Sequence, residues 1–91
     1  MTPEEKMASP PEFTMYTKDG CPWCDKLVDL LCDRAVDFLE VKVDHSLENL
    51  DELKSRLPDV KTVPQLFHGD TYVGGYTDSV AYFEKMDADA D

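Results

Sequence analysis

Apolar side chains recur along the chain with two different spacings, which separate strands from helices. Residues 12–17 alternate and carry β-favouring side chains, so they predict a first strand that ends at Asp19 and Gly20. Residues 21–34 repeat leucine and valine at helical spacing behind Pro22, and proline is favoured at the first position of a helix. The chain is therefore expected to begin its folded part with a strand followed by a helix.

The same two spacings return in the middle of the chain. Residues 38–44 alternate apolar and polar side chains, which predicts a second strand. A proline at position 58 stops the next pattern, because proline cannot continue a helix. That pattern is a stripe of leucines spaced three and four residues apart, formed by Leu47, Leu50, Leu53 and Leu57. A second helix is therefore expected along this stripe.

The last third of the chain predicts a hairpin followed by a helix. Residues 63–68 and 71–73 are two short β-favouring runs on either side of Gly69-Asp70, a typical hairpin signal. The pair Gly74-Gly75 then leads into a helix expected over residues 77–85. The complete order of elements is β-α-β-α-β-β-α.

This order predicts an α/β domain with the thioredoxin-like fold. A strand, crossover helix and strand favour parallel pairing, whereas a hairpin is antiparallel. We therefore expect a four-stranded mixed β-sheet flanked by three helices that cover both of its faces. The 91 residues allow one domain, which we place at residues 12–86, between a flexible N-terminal extension (1–11) and an acidic tail (87–91).

The charge of the chain argues against several classes of partner. Nine Lys and Arg residues against twenty Asp and Glu residues give a net charge of −11, which repels phosphate backbones and anionic lipid. No apolar run approaches the roughly 18 to 20 residues that a membrane span requires. Residues 1–11 show no targeting signal, being acidic and rich in proline. We therefore expect no nucleic-acid or membrane partner and a cytoplasmic location.

The cysteines predict redox chemistry. Three cysteines are too few and of the wrong parity for a disulfide framework, and two of them form Cys21-Pro22-Trp23-Cys24. A cysteine just before a helix meets unpaired N–H groups and the positive end of the helix dipole, which favour the thiolate. Cys24 lies one turn later and can attack a mixed disulfide on Cys21. Cys21 is therefore the expected nucleophile of a dithiol that can cycle.

Two other interpretations of the cysteine pair are less favoured. Zinc needs about four ligands, and the remaining candidates, Cys32, His45 and His68, lack metal-site spacing, so no metal is expected. A structural disulfide or two buried cysteines would be unusual with proline and tryptophan between them. Cys32 is expected to be a half-buried packing residue, and both histidines are expected in loops or at strand ends without partners.

Three motifs, in this order and spacing, resemble those of dithiol glutaredoxins. They are residues 16–24 (YTKDGCPWC), residues 62–64 (TVP) and residues 74–78 (GGYTD), and the resemblance covers about residues 12–86. Trp23 stands where the family most often has tyrosine. The resemblance implies the thioredoxin fold and a reaction with glutathione.

The resemblance also implies how the cysteinyl and glycyl parts of glutathione would bind. A cis bond before Pro64 would turn the backbone of Val63 toward Cys21, so that it pairs with the cysteinyl unit. Lys18 would stabilise the thiolate and approach the glycyl carboxylate. The family often adds a glutamine or arginine on the second helix, where residues 49–52 read NLDE, and Lys61 is a candidate substitute.

The start of the last helix is implied to hold the other end of glutathione. N–H groups at Thr77 and Asp78 suit the γ-glutamyl carboxylate, Asp78 could accept from the α-ammonium, and the glycine pair permits close approach. Plain helix capping by these two residues is compatible with that role. Trp23 is expected to flank the groove. The implied glutathione-binding set is Lys18, Trp23, Thr62, Val63, Pro64, Gly75, Thr77 and Asp78.

The activity implied by the resemblance is glutathione-dependent thiol–disulfide exchange. Cys21 would attack a glutathionylated sulfur, and a second glutathione or Cys24 would release it. Glutathione is then a cosubstrate with no bound cofactor. The expected partners are glutathionylated or disulfide-containing proteins, with ribonucleotide reductase as one candidate, and the expected state is a monomer.

Two alternatives stay open at this point. One is a redoxin recharged by thioredoxin reductase that serves ribonucleotide reductase, and Lys18 with the Thr77-Asp78 pair favours glutathione over it. The other is a non-catalytic carrier that shares an iron–sulfur cluster between two chains. Pro22 argues against the carrier, because family members of that kind usually lack proline after the first cysteine.

Overall fold

The computed structural model describes residues 12–89, so the extension predicted for residues 1–11 lies outside the described residues, as do residues 90 and 91. The order of elements is the expected β-α-β-α-β-β-α. The elements are β1 (Phe13–Thr17), α1 (Pro22–Asp33), β2 (Phe38–Lys42), α2 (Leu47–Arg56), β3 (Gln65–His68), β4 (Thr71–Gly74) and α3 (Tyr76–Asp89). Across residues 12–89, no helix combines the length and the apolar character that crossing a membrane would require.

The four strands form one mixed sheet in the order β2-β1-β3-β4. The pair β1 and β2 is parallel, with Phe13 opposite Phe38. The pairs β1–β3 and β3–β4 are antiparallel, and the second is irregular between Leu66 and Phe67. The expected mixed sheet is confirmed. Because β1 and β2 run in the same direction, the loops that follow them meet at one edge of the sheet.

The alternation of side chains along β1 divides the core between the two faces of the sheet. Phe13 and Met15 point to the face covered by α1 and α3, whereas Tyr16 points to the face covered by α2. One buried cluster consists of Phe13, Met15, Leu27, Leu31, Leu66 and Phe83, and the other of Tyr16, Val41, Leu53 and Phe67. Helices therefore cover both faces, as expected.

The C-terminal helix is longer than the sequence indicated. It was expected to end near residue 85, but it continues to Asp89. Arg34, just beyond α1, donates two hydrogen bonds to the carboxylate of Asp87, at 2.9 and 2.6 Å, and lies over the ring of Phe83. This contact between helices gives the acidic last turn a cation, which an isolated acidic stretch would lack.

Cys32 was expected to be half-buried, and that prediction is wrong, because its side chain is exposed. The buried face of α1 is formed by Cys24, Leu27 and Leu31. Cys32 follows Asp25 by seven residues, which is two helical turns, so it shares the exposed face of that aspartate. The apolar residues next to Cys32 in the sequence did not indicate which face of α1 packs against the sheet.

The two histidines lie in a turn and at a strand end, as expected, but both have partners. His68 Nδ1 is 2.6 Å from the hydroxyl of Tyr82, and its Nε2 is 2.9 Å from Glu12. His45 Nε2 is 2.8 Å from a carboxylate oxygen of Asp19. These partners are between 14 and 56 residues away along the chain, which is why the sequence did not indicate them.

Candidate active site

The two cysteines lie at the N-terminus of α1. Cys21 is the N-cap residue and Pro22 occupies the first turn, so the helix begins where the sequence indicated. The backbone N–H of Cys24 donates to the sulfur of Cys21 at 3.2 Å. The two cysteines are joined as a disulfide, with their Cα atoms 5.2 Å apart, and both are buried. The pair is therefore positioned for reversible disulfide formation.

The loop before β3 places backbone next to the first cysteine. The bond between Val63 and Pro64 is cis, as the family resemblance implied. The carbonyl oxygen of Val63 lies 3.7 Å from the sulfur of Cys21. Pro64 is buried, whereas Thr62 is exposed. This arrangement presents main-chain polar groups beside the sulfur that would form a mixed disulfide.

An open cleft of about 470 Å³ lies beside this loop and Trp23, which stands between the two cysteines in the sequence. It brings together seven of the eight residues expected to bind glutathione, all except Lys18. The cleft is lined by Trp23, Thr62, Val63, Pro64, Gly75, Thr77 and Asp78, together with Gln65, Tyr72 and Tyr76. The structure places these residues on one surface, and their roles in binding stay predictions.

Two aromatic rings form one wall of the cleft. Trp23 is 53% exposed, and its ring lies 5.6 Å from that of Tyr76. The ammonium of Lys26 lies 4.6 Å from the centre of the Trp23 ring, which is a cation–π contact. Trp23 therefore lies at the cleft, and its part in binding glutathione stays a prediction.

Gln65 and Tyr72 also line the cleft and were missed in the sequence. The Tyr72 hydroxyl donates to Gln65 at 2.6 Å, and the Gln65 amide donates to the carbonyl of Thr62 at 3.0 Å. Partial burial, and then the negative charge of Asp78, raises the pKa of Tyr72. Gln65 directly follows the TVP motif, which could have identified it. Tyr72 reaches the cleft only through the pairing of β3 with β4.

The N-terminus of α3 needs glycine at position 74 in particular. Gly74 has φ +121°, and a Cβ atom there would collide with the side chain of Asp78. A Cβ atom on Gly75 would meet the carbonyl oxygen of Pro64 only at an ordinary 3.5 Å. The approach of glutathione to the glycine pair stays a prediction, and the absence of a Cβ atom is needed at Gly74 but not at Gly75. It allows Asp78 to fold back over the preceding strand.

A second, smaller pocket carries positive charge. Its volume is about 260 Å³, and Thr62 and Val63 border both this pocket and the cleft. Apolar side chains of Val43, Leu50, Leu53 and Val60 line it, and three exposed lysines complete it: Lys18, Lys54 and Lys61. None of these lysines forms a salt bridge within residues 12–89. We refer to this site as the lysine pocket.

The loop between β1 and Cys21 is tied to the turn after β2. The carboxylate of Asp19 lies 3.1 Å from Lys42 Nζ and 2.8 Å from His45 Nε2. The backbone N–H of Asp19 donates to Asp44 at 3.0 Å. Hydrogen bonding from His45, and then from Lys42, lowers the pKa of Asp19. These contacts were not expected from the sequence, because the two segments are about 25 residues apart.

Fold and site together define a class of protein. A cysteine pair at a helix N-terminus, with the backbone of a cis-proline loop beside the first sulfur, is suited to form and break disulfides with a substrate that pairs with that backbone. The chain is therefore a thiol–disulfide oxidoreductase with a thioredoxin-like fold.

Comparison with known proteins then gives the family. The family model described as Glutaredoxin matches residues 13–73. A glutaredoxin of Neisseria meningitidis is 42% identical over 66 residues, which are 71% of this chain and 76% of that protein. The solution structure of glutaredoxin from Brucella melitensis has a TM-score of 0.69 at 30% identity, covering 90% of this chain and 88% of that one. This chain belongs to the glutaredoxin family.

A solved structure of lower sequence identity supports the fold assignment alone. The crystal structure of a buckwheat glutaredoxin–glutathione complex has a TM-score of 0.70 at 17% identity, covering 82% of this chain and 70% of that one. This similarity shows that the chain shares its fold with a protein that was solved in complex with glutathione.

Proposed function

We propose that this protein reduces mixed disulfides of glutathione, and disulfides of proteins, with glutathione as the reductant. The observation that carries the proposal is the arrangement on either side of Val63. The lysine pocket lies on one side and the N-terminus of α3 on the other. Glutathione has a carboxylate at each end and a cysteinyl amide unit between them, so its charges match this arrangement.

The lysine pocket is suited to the glycyl carboxylate. Lys18 and Lys61 were candidates from the sequence, and the structure adds Lys54 on α2. Hydrogen bonds from an ammonium group to a carboxylate are stronger than those between neutral groups. Lys54 can therefore supply the contact from the second helix for which residues 49–52 offer neither glutamine nor arginine.

The N-terminus of α3 is suited to the γ-glutamyl end. The first N–H groups of a helix have no partner within the helix and favour an anion. Thr77 and Asp78 lie there, and the Asp78 carboxylate can accept from the α-ammonium of the same residue of glutathione. One end of the cleft would then recognise both charges of that amino acid.

The reaction follows from thiol–disulfide exchange. The Cys21 thiolate attacks the glutathione sulfur of a mixed disulfide, a bond forms between these two sulfurs, and the target leaves as a thiolate. The thiolate of a second glutathione then attacks the bound glutathione sulfur, which yields oxidised glutathione and restores the Cys21 thiolate. Alternatively, the Cys24 thiolate attacks Cys21, releases glutathione and gives the disulfide found here. Two glutathione molecules then reduce that disulfide.

A coupled assay tests the proposal. The assay contains the protein, a small glutathione mixed disulfide, glutathione, glutathione reductase and NADPH. We expect the rate of NADPH consumption to depend on the concentration of the protein. A parallel reaction replaces glutathione and its reductase by thioredoxin reductase. Turnover only in the parallel reaction would overturn the proposal in favour of the redoxin. Visible absorbance of anaerobically purified protein, without turnover in either reaction, would instead support the iron–sulfur carrier.

We further propose that the enzyme works as a cytoplasmic monomer without a bound cofactor. Glutathione must stay largely reduced to serve as reductant, and the cytoplasm maintains that state. Sedimentation equilibrium of the reduced protein tests the monomer.

A further inference from the structure

The carboxylate of Asp19 is close to the reactive cysteine along the chain but points to another part of the fold. Only Gly20 separates it from Cys21 along the chain, so the Cα atoms of Asp19 and Cys21 lie within about 7.6 Å of each other. A negative charge at such a distance would disfavour a thiolate. Salt would not remove this effect, because it largely screens only charges that lie farther apart than about 8 to 10 Å. The chain as a whole, at −11, works in the same direction.

The strand order shows where this carboxylate is held. In the sheet, β2 and β3 lie on opposite sides of β1. The partners of Asp19 belong to the end of β2 and the turn after it, with Lys42 at 3.1 Å and His45 at 2.8 Å. The sulfur of Cys21 instead faces Val63, which precedes β3. The two groups therefore point away from each other across β1.

We propose that Asp19 is a positioning residue whose clamp by Lys42 and His45 keeps its carboxylate on the β2 side, away from the Cys21 thiolate. The hydrogen bond between the N–H of Val43 and the carbonyl of Thr17, at 2.8 Å, fixes the same two segments through their backbones. With Asp19 engaged, Lys18 is the charged residue of this loop that remains available to the active site. The proposal concerns the reactivity of Cys21 and does not depend on glutathione as substrate.

A double-mutant cycle tests the clamp. The reduced full chain is treated with iodoacetamide at a pH below the Cys21 pKa, and alkylation of Cys21 is followed by mass spectrometry of its peptide, since the exposed Cys32 also reacts. Lys42→Met should lower the rate at Cys21 by at least about twofold, because the freed carboxylate moves toward the thiolate. In an Asp19→Asn background the same substitution should change the rate much less.

Comparing the wild-type and Asp19→Asn backgrounds distinguishes the clamp from a direct electrostatic effect of Lys42 on Cys21. Charges that stay in place contribute independently, so Lys42→Met would lower the rate equally in both backgrounds if Lys42 acted only through its own field. An equal effect, or no effect in either background, overturns the proposal. Lys85→Met is the matched control, because it removes an exposed lysine of α3 that has no salt bridge within residues 12–89. It should leave the rate unchanged.

Two further variants keep the test decisive. Lys42→Arg retains the positive charge and should restore most of the wild-type rate. If Lys42→Met does not fold, as judged by circular dichroism, His45→Ala replaces it in the same cycle. His45→Ala should lower the rate in the wild-type background and have a smaller effect beside Asp19→Asn. Since glutathione takes no part in alkylation, failure here is distinguishable from failure of the coupled assay.

Discussion

Cys21 and Cys24 have different surroundings although one helical turn separates them. The sulfur of Cys21 accepts the N–H of Cys24 and lies beside the carbonyl of Val63, at the positive end of α1. Cys24 belongs to the buried face of the helix and is 2% exposed. The position of each sulfur therefore suits Cys21 to attack a substrate and Cys24 to attack Cys21.

Serine variants of the two cysteines should behave differently. Cys21→Ser should abolish every activity, because the attacking thiolate is lost. Cys24→Ser should retain or increase the reduction of glutathione mixed disulfides, since the internal disulfide no longer diverts the intermediate. Its reduction of protein disulfides should fall sharply. The coupled assay with a small mixed disulfide, run beside an assay on a disulfide-bonded protein, measures both. The reverse pattern would show that Cys24 is the nucleophile.

Lys18 is expected to act on glutathione and on Cys21 together. Lys18→Glu should raise the Michaelis constant for glutathione about twofold to fivefold, a range that reflects an exposed ion pair. It should also raise the pKa of Cys21, measured from the alkylation rate against pH. High salt should reduce both differences from wild type.

Lys85→Glu provides the control for the Lys18 variant. It makes the same change of charge on an exposed position of α3 outside both pockets. Equal effects of Lys18→Glu and Lys85→Glu would mean that only the total charge matters and would remove Lys18 from the site.

At the scale of single residues, the sequence predicted those features of the site that depend on neighbours along the chain. The position of Cys21 before α1 follows from the local sequence, whereas the cis bond before Pro64 and the set of residues around the cleft were implied by the family resemblance. Partners that meet only through strand pairing, such as Lys42 with Asp19, were missed. Burial on a helix depends on its rotation against the sheet, which explains the error at Cys32.

At the scale of elements, α2 carries Lys54 to the lysine pocket and is held by its first turn. Ser46 is the N-cap residue, and its side chain accepts the backbone N–H of Asn49 at 3.1 Å. Leu53 anchors the helix in the core of the second face. The helix spans only Leu47–Arg56, so it depends strongly on such terminal and tertiary contacts.

Removing this cap should destabilise the protein without changing the site chemistry. Ser46→Ala should lower the free energy of unfolding by about 1 kcal/mol, because the N–H of Asn49 loses its partner. Urea unfolding followed by circular dichroism measures the change. Ser55→Ala is the control, since Ser55 bonds to the carbonyl of Glu52 within the helix and caps nothing. A loss as large for Ser55→Ala would contradict the capping argument.

The helices also show why element boundaries were harder to predict than element types. All seven elements were expected in the right order, since each has a clear periodicity. The end of α3 was placed four residues too early, because its last turn is acidic and has no apolar repeat. The cation that pairs with Asp87 is Arg34, and only the packing of α1 against α3 brings them together.

At the scale of the whole molecule, an acidic chain folds around a buried tyrosine that bonds to a carboxylate. Tyr16 is fully buried in the core beneath α2, and its hydroxyl donates to Glu52 at 2.6 Å. Burial, and then the hydrogen bond to Glu52, raises the pKa of Tyr16 to about 12, although the charge of Arg56 opposes the shift. The core beneath α2 therefore contains a phenol that is held in its protonated form.

This proton should make the whole fold sensitive to alkali. The pKa of Tyr16 is higher in the folded state than the ordinary 10.0 expected when unfolded, so its contribution to stability is complete below pH 10. As the pH rises toward 12 the unfolded chain releases the proton first, and that contribution is lost. Urea unfolding at pH 9, 10 and 11 should show a falling free energy of unfolding. In Tyr16→Phe, which should be less stable at pH 9, the fall should be smaller. Equal slopes in wild type and Tyr16→Phe would mean that alkali acts through the general rise in negative charge and not through Tyr16.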